Sequence, residues 1–192
     1  MEISFANISS QPADAKQAEG RAAPDRAKMM EVYEQFARPV YNFFYYSLTD
    51  RETAEDLTGD VFVKILNKSG FYDPDKGEIK TWIFTVARNT LRDYLRTVKR
   101  APGKVPLEKA AEMAATAAGP EETAIRGSEA AALVTALRRL NKRERNLVAL
   151  KYGAGLRNKE IAELSSLSER HVGVILSRTL SKLKKMLGDD FI

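Results

Sequence analysis

Three groups of side chains stand out by type and spacing. Arg88, Arg92, Arg96 and Arg100 recur every four residues, which on a helix sets about one guanidinium per turn along a single line. Such a line neutralises phosphates, contributing affinity without reading sequence. Near the C-terminal end, Arg170, Val174, Ser177, Arg178, Ser181, Lys182 and Lys185 fall on one strip of another helical pattern. In a DNA-reading helix the N-terminal residues reach major-groove base edges and later cations meet phosphate. Asp56, Gly59, Asp60 and Val63 lie at i, i+3, i+4 and i+7, an acidic surface with a flat centre opposite the apolar stripe of its own helix. Taken singly, each group is equally an ordinary solvated helix face. None is catalytic. No nucleophile stands beside a base, no glycine loop cradles phosphate, and the carboxylates are dispersed rather than gathered around a metal.

Composition narrows the chemistry further. The 192 residues include no cysteine, which removes disulfides, thiolate metal sites and cysteine nucleophiles. The single histidine, His171, cannot build a multi-histidine metal site. The charge is uneven along the chain. Residues 81–100 hold five basic groups and one acidic, residues 128–192 thirteen and seven, and residues 29–80 six and ten. Two basic patches separated by an acidic surface fit a polyanion touched at two places. No apolar run approaches the roughly 18 residues of a membrane span, and the start shows no secretory signal pattern. The expectation is a cytoplasmic protein without membrane insertion, cofactor or metal, and not an enzyme.

The elements that must position these residues read as helices. There is no alternating strand pattern and no hairpin turn. Residues 1–27 read as a flexible tail and 101–127, with Pro and Gly at both ends, as an interdomain linker. Two modules remain, 28–100 and 128–188. In the first, Met29, Tyr33, Phe36, Val40, Phe44 and Leu48 form a stripe that Pro39 should kink or divide. Asp50 then caps a helix buried through Ala54, Leu57, Val61, Phe62, Ile65 and Leu66. A third helix from about Thr81 to Arg100 buries Ile83, Ala87, Leu91 and Val98 opposite its arginines. In the second module Asn141 and Glu144 make a capping box, Gly153 and Gly155 close that helix, and Ser168 caps a final helix buried from Val172 to Met186. A short helix, a three-residue turn and a longer basic helix is helix-turn-helix arithmetic.

At three places the chain resembles a bacterial RNA polymerase sigma factor of the extracytoplasmic-function type. Ala54–Leu66 is similar to the polymerase-binding helix of region two. Thr81–Asn89, with Asp93 and Arg96, is similar to the minus-ten segment. Leu140–Arg145, Tyr152, Gly155-Leu156, Glu160–Leu164 and Leu167–Glu169 with Val172 are similar to region four. The family's usual Gln is here Gly59, and its turn glycine is here Ser166. The resemblance implies an all-α fold: sigma region two and a region four ending in helix-turn-helix, joined by a flexible linker. It implies that Asp56, Gly59, Asp60 and Val63 dock on the clamp helices of the largest subunit of core RNA polymerase. It implies that Phe71, Tyr72, Lys76 and Asn89 hold a flipped minus-ten base while Arg88, Arg92, Arg96 and Arg100 meet phosphate. Trp82 belongs to the same minus-ten set, although a lone tryptophan at the start of an apolar stripe is more often a core residue. Arg170, His171, Val174, Ser177, Arg178 and Lys182 would meet the minus-thirty-five duplex. Promoter DNA and an anti-sigma protein are the other partners it implies. Two rivals leave different traces: a stand-alone helix-turn-helix regulator, binding duplex DNA alone, and a polymerase-binding antagonist that reads no DNA.

Overall fold

The computed structural model describes residues 26–68, 77–100 and 122–188, which among them hold seven α-helices, one π-helical turn and no strand. The N-terminal module is α1 (Arg26–Leu48), α2 (Arg51–Lys68) and α3 (Ile79–Arg100). Helix α1 runs through Pro39 undivided, although proline has no N–H to give the preceding turn. It buries Phe36, Val40, Phe43, Phe44 and Leu48. Its end is marked by Thr49, whose φ of 56° is left-handed and turns the chain sharply into α2. Asp50 caps α2 as expected, accepting the Thr53 backbone N–H at 3.3 Å and the Thr53 hydroxyl. Between α2 and α3 the Lys64 ammonium donates to the buried Thr90 hydroxyl at 3.0 Å. Phe84 of α3 meets Phe43 edge to face, ring centres 6.0 Å apart.

The C-terminal module is α4 (Glu122–Arg139), α5 (Lys142–Val148), the π turn Ala149–Gly153, α6 (Asn158–Ser165) and α7 (Glu169–Leu187). Helix α4 begins inside the stretch read as linker, so residues 122–127 are helical. The Asn141 capping box is present in full: the Asn141 side chain accepts the Glu144 N–H at 2.9 Å and the Glu144 carboxylate accepts the Asn141 N–H at 3.2 Å. Beyond Val148 the helix widens into the π turn rather than ending in a glycine cap, and Gly155 takes the left-handed position at φ 65°. The connection from α6 to α7 is the expected tight turn. Ser166 adopts φ 53° and ψ 43° there, and Ser168 accepts the His171 N–H at 3.2 Å as N-cap of α7.

Four residues placed in buried stripes are instead exposed: Tyr33, Leu66, Val98 and Met186. All lie within two turns of a helix end, where the neighbouring element no longer covers the stripe. Tyr33 still packs its ring edge-on against Phe62, centres 4.9 Å apart. Phe43 and Phe84, on no expected stripe, are fully buried; Phe43 lies between the rings of Phe44 and Phe84.

The two modules do not stand apart. One continuous apolar cluster runs from Phe36 in α1 to Leu183 in α7. The π turn lies against α1, and α6 lies against α3. A bulkier residue could not replace Gly153 at this junction, since a Cβ there would stand 2.9 Å from the Asn42 carbonyl oxygen.

Candidate nucleic-acid interface and protein-docking face

The acidic group sits where its spacing implied. Asp56, Gly59, Asp60 and Val63 share the solvent face of α2, and Val63 is 56 % exposed. The opposite face carries Ala54, Leu57, Val61 and Ile65 into the core. An added Cβ at Gly59 would meet nothing within 4 Å, so no contact inside the described chain requires glycine there. This surface is a strip of two carboxylates with an open backbone between them and apolar side chains, Val63 and Leu66, at its far end.

The arginine line of α3 divides. Arg92, Arg96 and Arg100 are exposed and make no ion pair among the described residues. Arg88 differs. It is half-buried, and its guanidinium donates to the Leu164 carbonyl at the end of α6. Burial lowers its hold on its proton, and the neighbouring Arg92 charge acts in the same direction. Asn89 is exposed beside it, while Trp82 is partly buried and packs against the core. Phe71, Tyr72 and Lys76 lie outside the described residues.

On α7 the expected strip is on the surface: Arg170, His171, Val174, Ser177, Arg178 and Lys182 are all exposed. Lys182 is engaged, however, donating to the Glu144 carboxylate across from α5. That hydrogen bond holds the Glu144 carboxyl below its usual range; partial burial opposes the shift and the Asn141 N–H supports it. Arg170 and Arg178 have no such partner among the described residues. A groove of about 430 Å³ continues the strip, lined by Lys151, Tyr152, Asn158, Ser177, Ser181 and Lys184 among others. The Asn158 side-chain oxygen is buried there with no hydrogen-bond partner. No group of three or more His, Cys, Asp or Glu among the described residues is placed to hold a metal, and no described helix is long and apolar enough to cross a membrane.

Sequence reasoning missed the residues that join the modules. Lys80 donates to the Gly155 carbonyl at 2.7 Å. Arg157 reaches Glu78 at 3.1 Å, and Arg138 donates to both the hydroxyl and the carbonyl of Thr49 at 3.1 Å. Glu160, buried at 5 % exposure, accepts the Arg157 backbone N–H at 2.5 Å and faces Lys80 at 4.0 Å. Burial would raise its carboxyl, but the hydrogen bonds from Arg157 and the two nearby cations hold it below the usual range. One signal was available: a glycine inside a helical pattern, such as Gly153, marks a close backbone approach as readily as a cap.

Comparison with known proteins covers both modules. Residues 32–101 match the family described as Sigma-70 region 2, and residues 130–183 match Sigma-70, region 4. The chain is 28 % identical over 184 residues to the ECF RNA polymerase sigma factor BldN of Streptomyces coelicolor, covering 88 % of this chain and 69 % of that protein. It is 30 % identical over 162 residues to the ECF RNA polymerase sigma factor RpoE of Cereibacter sphaeroides, covering 84 % and 86 %. In structure it is similar to the sigma factor RpoE crystallised with the anti-sigma factor NepR from Bartonella quintana, with a TM-score of 0.62, 19 % identity and coverage of 83 % and 96 %. It is similar also to CnrH in complex with the cytosolic domain of CnrY, with a TM-score of 0.61, 18 % identity and coverage of 85 % and 90 %.

Proposed function

This chain belongs to the sigma-70 family, as an RNA polymerase sigma factor of the extracytoplasmic-function type, and we propose how its surfaces divide that work. The exposed acidic face of α2 (Asp56, Gly59, Asp60, Val63) docks on the clamp helices of core RNA polymerase. Arg88, Arg92, Arg96 and Arg100 of α3 neutralise phosphates of the melted minus-ten strand, and Asn89, Trp82, Phe71, Tyr72 and Lys76 hold its base. The strip on α7, with Arg170, His171, Val174, Ser177, Arg178 and Lys182, meets the minus-thirty-five duplex. Polymerisation belongs to the partner, and the chain itself works in the cytoplasm without catalysis. An anti-sigma protein, such as the one crystallised with the Bartonella quintana protein, is part of the proposal as an antagonist.

The observation that carries this division is the separation of charge by element. Two carboxylates lie on the exposed face of α2, while arginines without an ion-pair partner among the described residues, Arg92, Arg96, Arg100, Arg170 and Arg178, lie on the exposed faces of α3 and α7. A chain that reads DNA without a polymerase has no use for the first. The test is binding to purified core polymerase by wild type and by Asp56→Lys/Asp60→Lys, both positions being exposed and outside the core. Wild type should bind and the reversed variant should lose at least about tenfold in affinity, about 1.4 kcal/mol. Equal affinity would move the docking surface off α2.

A further inference from the structure

Between Glu169 and Lys185 every exposed residue of α7 is charged or polar except one, Val174, which is 41 % exposed. The apolar residues that the fold uses, Val172, Leu176 and Leu183, are buried on the other side of the helix. Val174 is therefore an apolar side chain set in a cationic surface without a packing role. Arg170 and Arg178 stand four residues before and after it and are both exposed, so arginine, valine and arginine follow one another on one line about 6 Å apart. Lys182, next on that line, is engaged by the Glu144 carboxylate. Beside the valine the surface is low. Gly173 precedes it, and a Cβ added there would meet only the Asn158 side-chain nitrogen, at an ordinary 3.7 Å, so the packing of the chain does not call for glycine. Glycine inside a helix weakens it. What it gives here is a bare stretch of backbone that can approach a groove floor closely.

We propose that Val174 reads a thymine of the minus-thirty-five element through its C5 methyl group, a role that rests on the sigma-factor reading for the presence of duplex DNA on this strip. The major groove offers donors and acceptors on every base edge but a single kind of apolar group, that methyl. An exposed valine carried into the groove between two guanidiniums has one base edge that it complements. Against adenine, guanine or cytosine it would strip water from a donor or acceptor and return no hydrogen bond. Base pairs are about 3.4 Å apart, so arginines about 6 Å to either side reach bases or phosphates about two pairs up and down the groove. They hold the helix in register, and the valine supplies the discrimination at the centre.

The test uses holoenzyme assembled from core polymerase and the full chain, first on duplexes randomised over the minus-thirty-five region. The selected sequence is then bound in competition with copies in which deoxyuridine, which lacks the methyl, replaces one thymine at a time on either strand. Selection should retain a thymine at a fixed position, and deoxyuridine there should weaken binding about fourfold, the contribution of one buried methyl group. Val174 is exposed and alanine favours a helix, so Val174→Ala tests the contact rather than folding. With that variant the selected sequence should bind more weakly and the deoxyuridine penalty at that position should vanish, whereas Val174→Ile should keep it. In place of the thymine, 5-methylcytosine should bind wild type more tightly than cytosine does, and Val174→Ala should not tell them apart. A merely structural role would weaken all duplexes alike and leave the penalty standing. A selected sequence with no deoxyuridine penalty at any thymine, or a full set of penalties that survives in Val174→Ala, would overturn thymine reading and leave the sigma factor in place. A holoenzyme that forms but selects no sequence would overturn both.

Discussion

Ser166 ends α6 at φ 53° and ψ 43°, the left-handed position most often given to glycine. Its side chain is exposed and makes no hydrogen bond among the described residues. The left-handed backbone costs a residue with a Cβ about 1–2 kcal/mol. Ser166→Gly removes that strain, and the extra freedom of glycine in the unfolded chain returns about 0.5–1 kcal/mol of it. The net is a stabilisation of about 0.5–1 kcal/mol. Ser165, one residue earlier, is helical, and its hydroxyl bonds back to the Ile161 carbonyl. Ser165→Gly meets the entropic loss and also gives up that hydrogen bond, and should destabilise by at least about 0.5–1 kcal/mol. For a chain of this length the two variants should move the melting temperature in opposite directions by about 2 °C each. Thermal unfolding followed by far-UV circular dichroism on the full chain reads both. A lower melting temperature for Ser166→Gly, or the same shift for both, would refute the turn as described.

Other expectations follow from single residues. Gly59→Ala should raise stability by about 1 kcal/mol, since the added methyl meets nothing, yet weaken core binding, since it fills the flat centre of the docking face; a urea titration and a binding titration on the same variant read the two effects. Phe84→Ala, fully buried and edge-on to Phe43, should cost about 3–5 kcal/mol in a urea titration. Acid should destabilise the chain in a defined window. The Glu144 and Glu160 carboxyls are both held below the ordinary 4.5, so the stability they confer is complete above that value and is lost as pH falls through the lower folded values. Melting temperatures taken between about pH 7 and pH 3 should fall at the acid end, and Glu160→Gln should make that fall shallower.

What could be read from sequence was whatever local periodicity and capping control. The Asn141 box, the Ser168 cap, the left-handed Ser166 and the buried faces of α2 and α7 each depend on residues within a few positions of one another. So does the placement of Asp56, Asp60, Arg92, Arg96 and Arg178 on exposed helix faces. What was not legible depends on partners remote in the chain. Arg88 looked like one more member of a regular arginine line, and only the arrival of Leu164, 76 residues away, distinguishes it. Lys182 looked like a free cation until α5 brought Glu144 beneath it. Gly153 looked like a cap because its steric reason lies in α1. Pro39 was expected to kink or divide α1; the helix is not divided, because a helix with Phe36, Val40, Phe43 and Phe44 buried on one side tolerates a missing N–H.

The most direct test of the central claim is run-off transcription on a promoter selected from genomic fragments. Purified core polymerase would be used alone, with this chain, and with an Arg92→Gln/Arg96→Gln variant. Both positions are exposed and outside the core, so the variant should fold and still bind core through α2. The expected result is a specific transcript that requires the wild-type chain and falls at least about tenfold with the variant, in step with lost phosphate contacts. A core complex that forms but yields no specific transcript with the wild-type chain would contradict promoter reading by α3 and α7 and leave a polymerase-binding antagonist in its place.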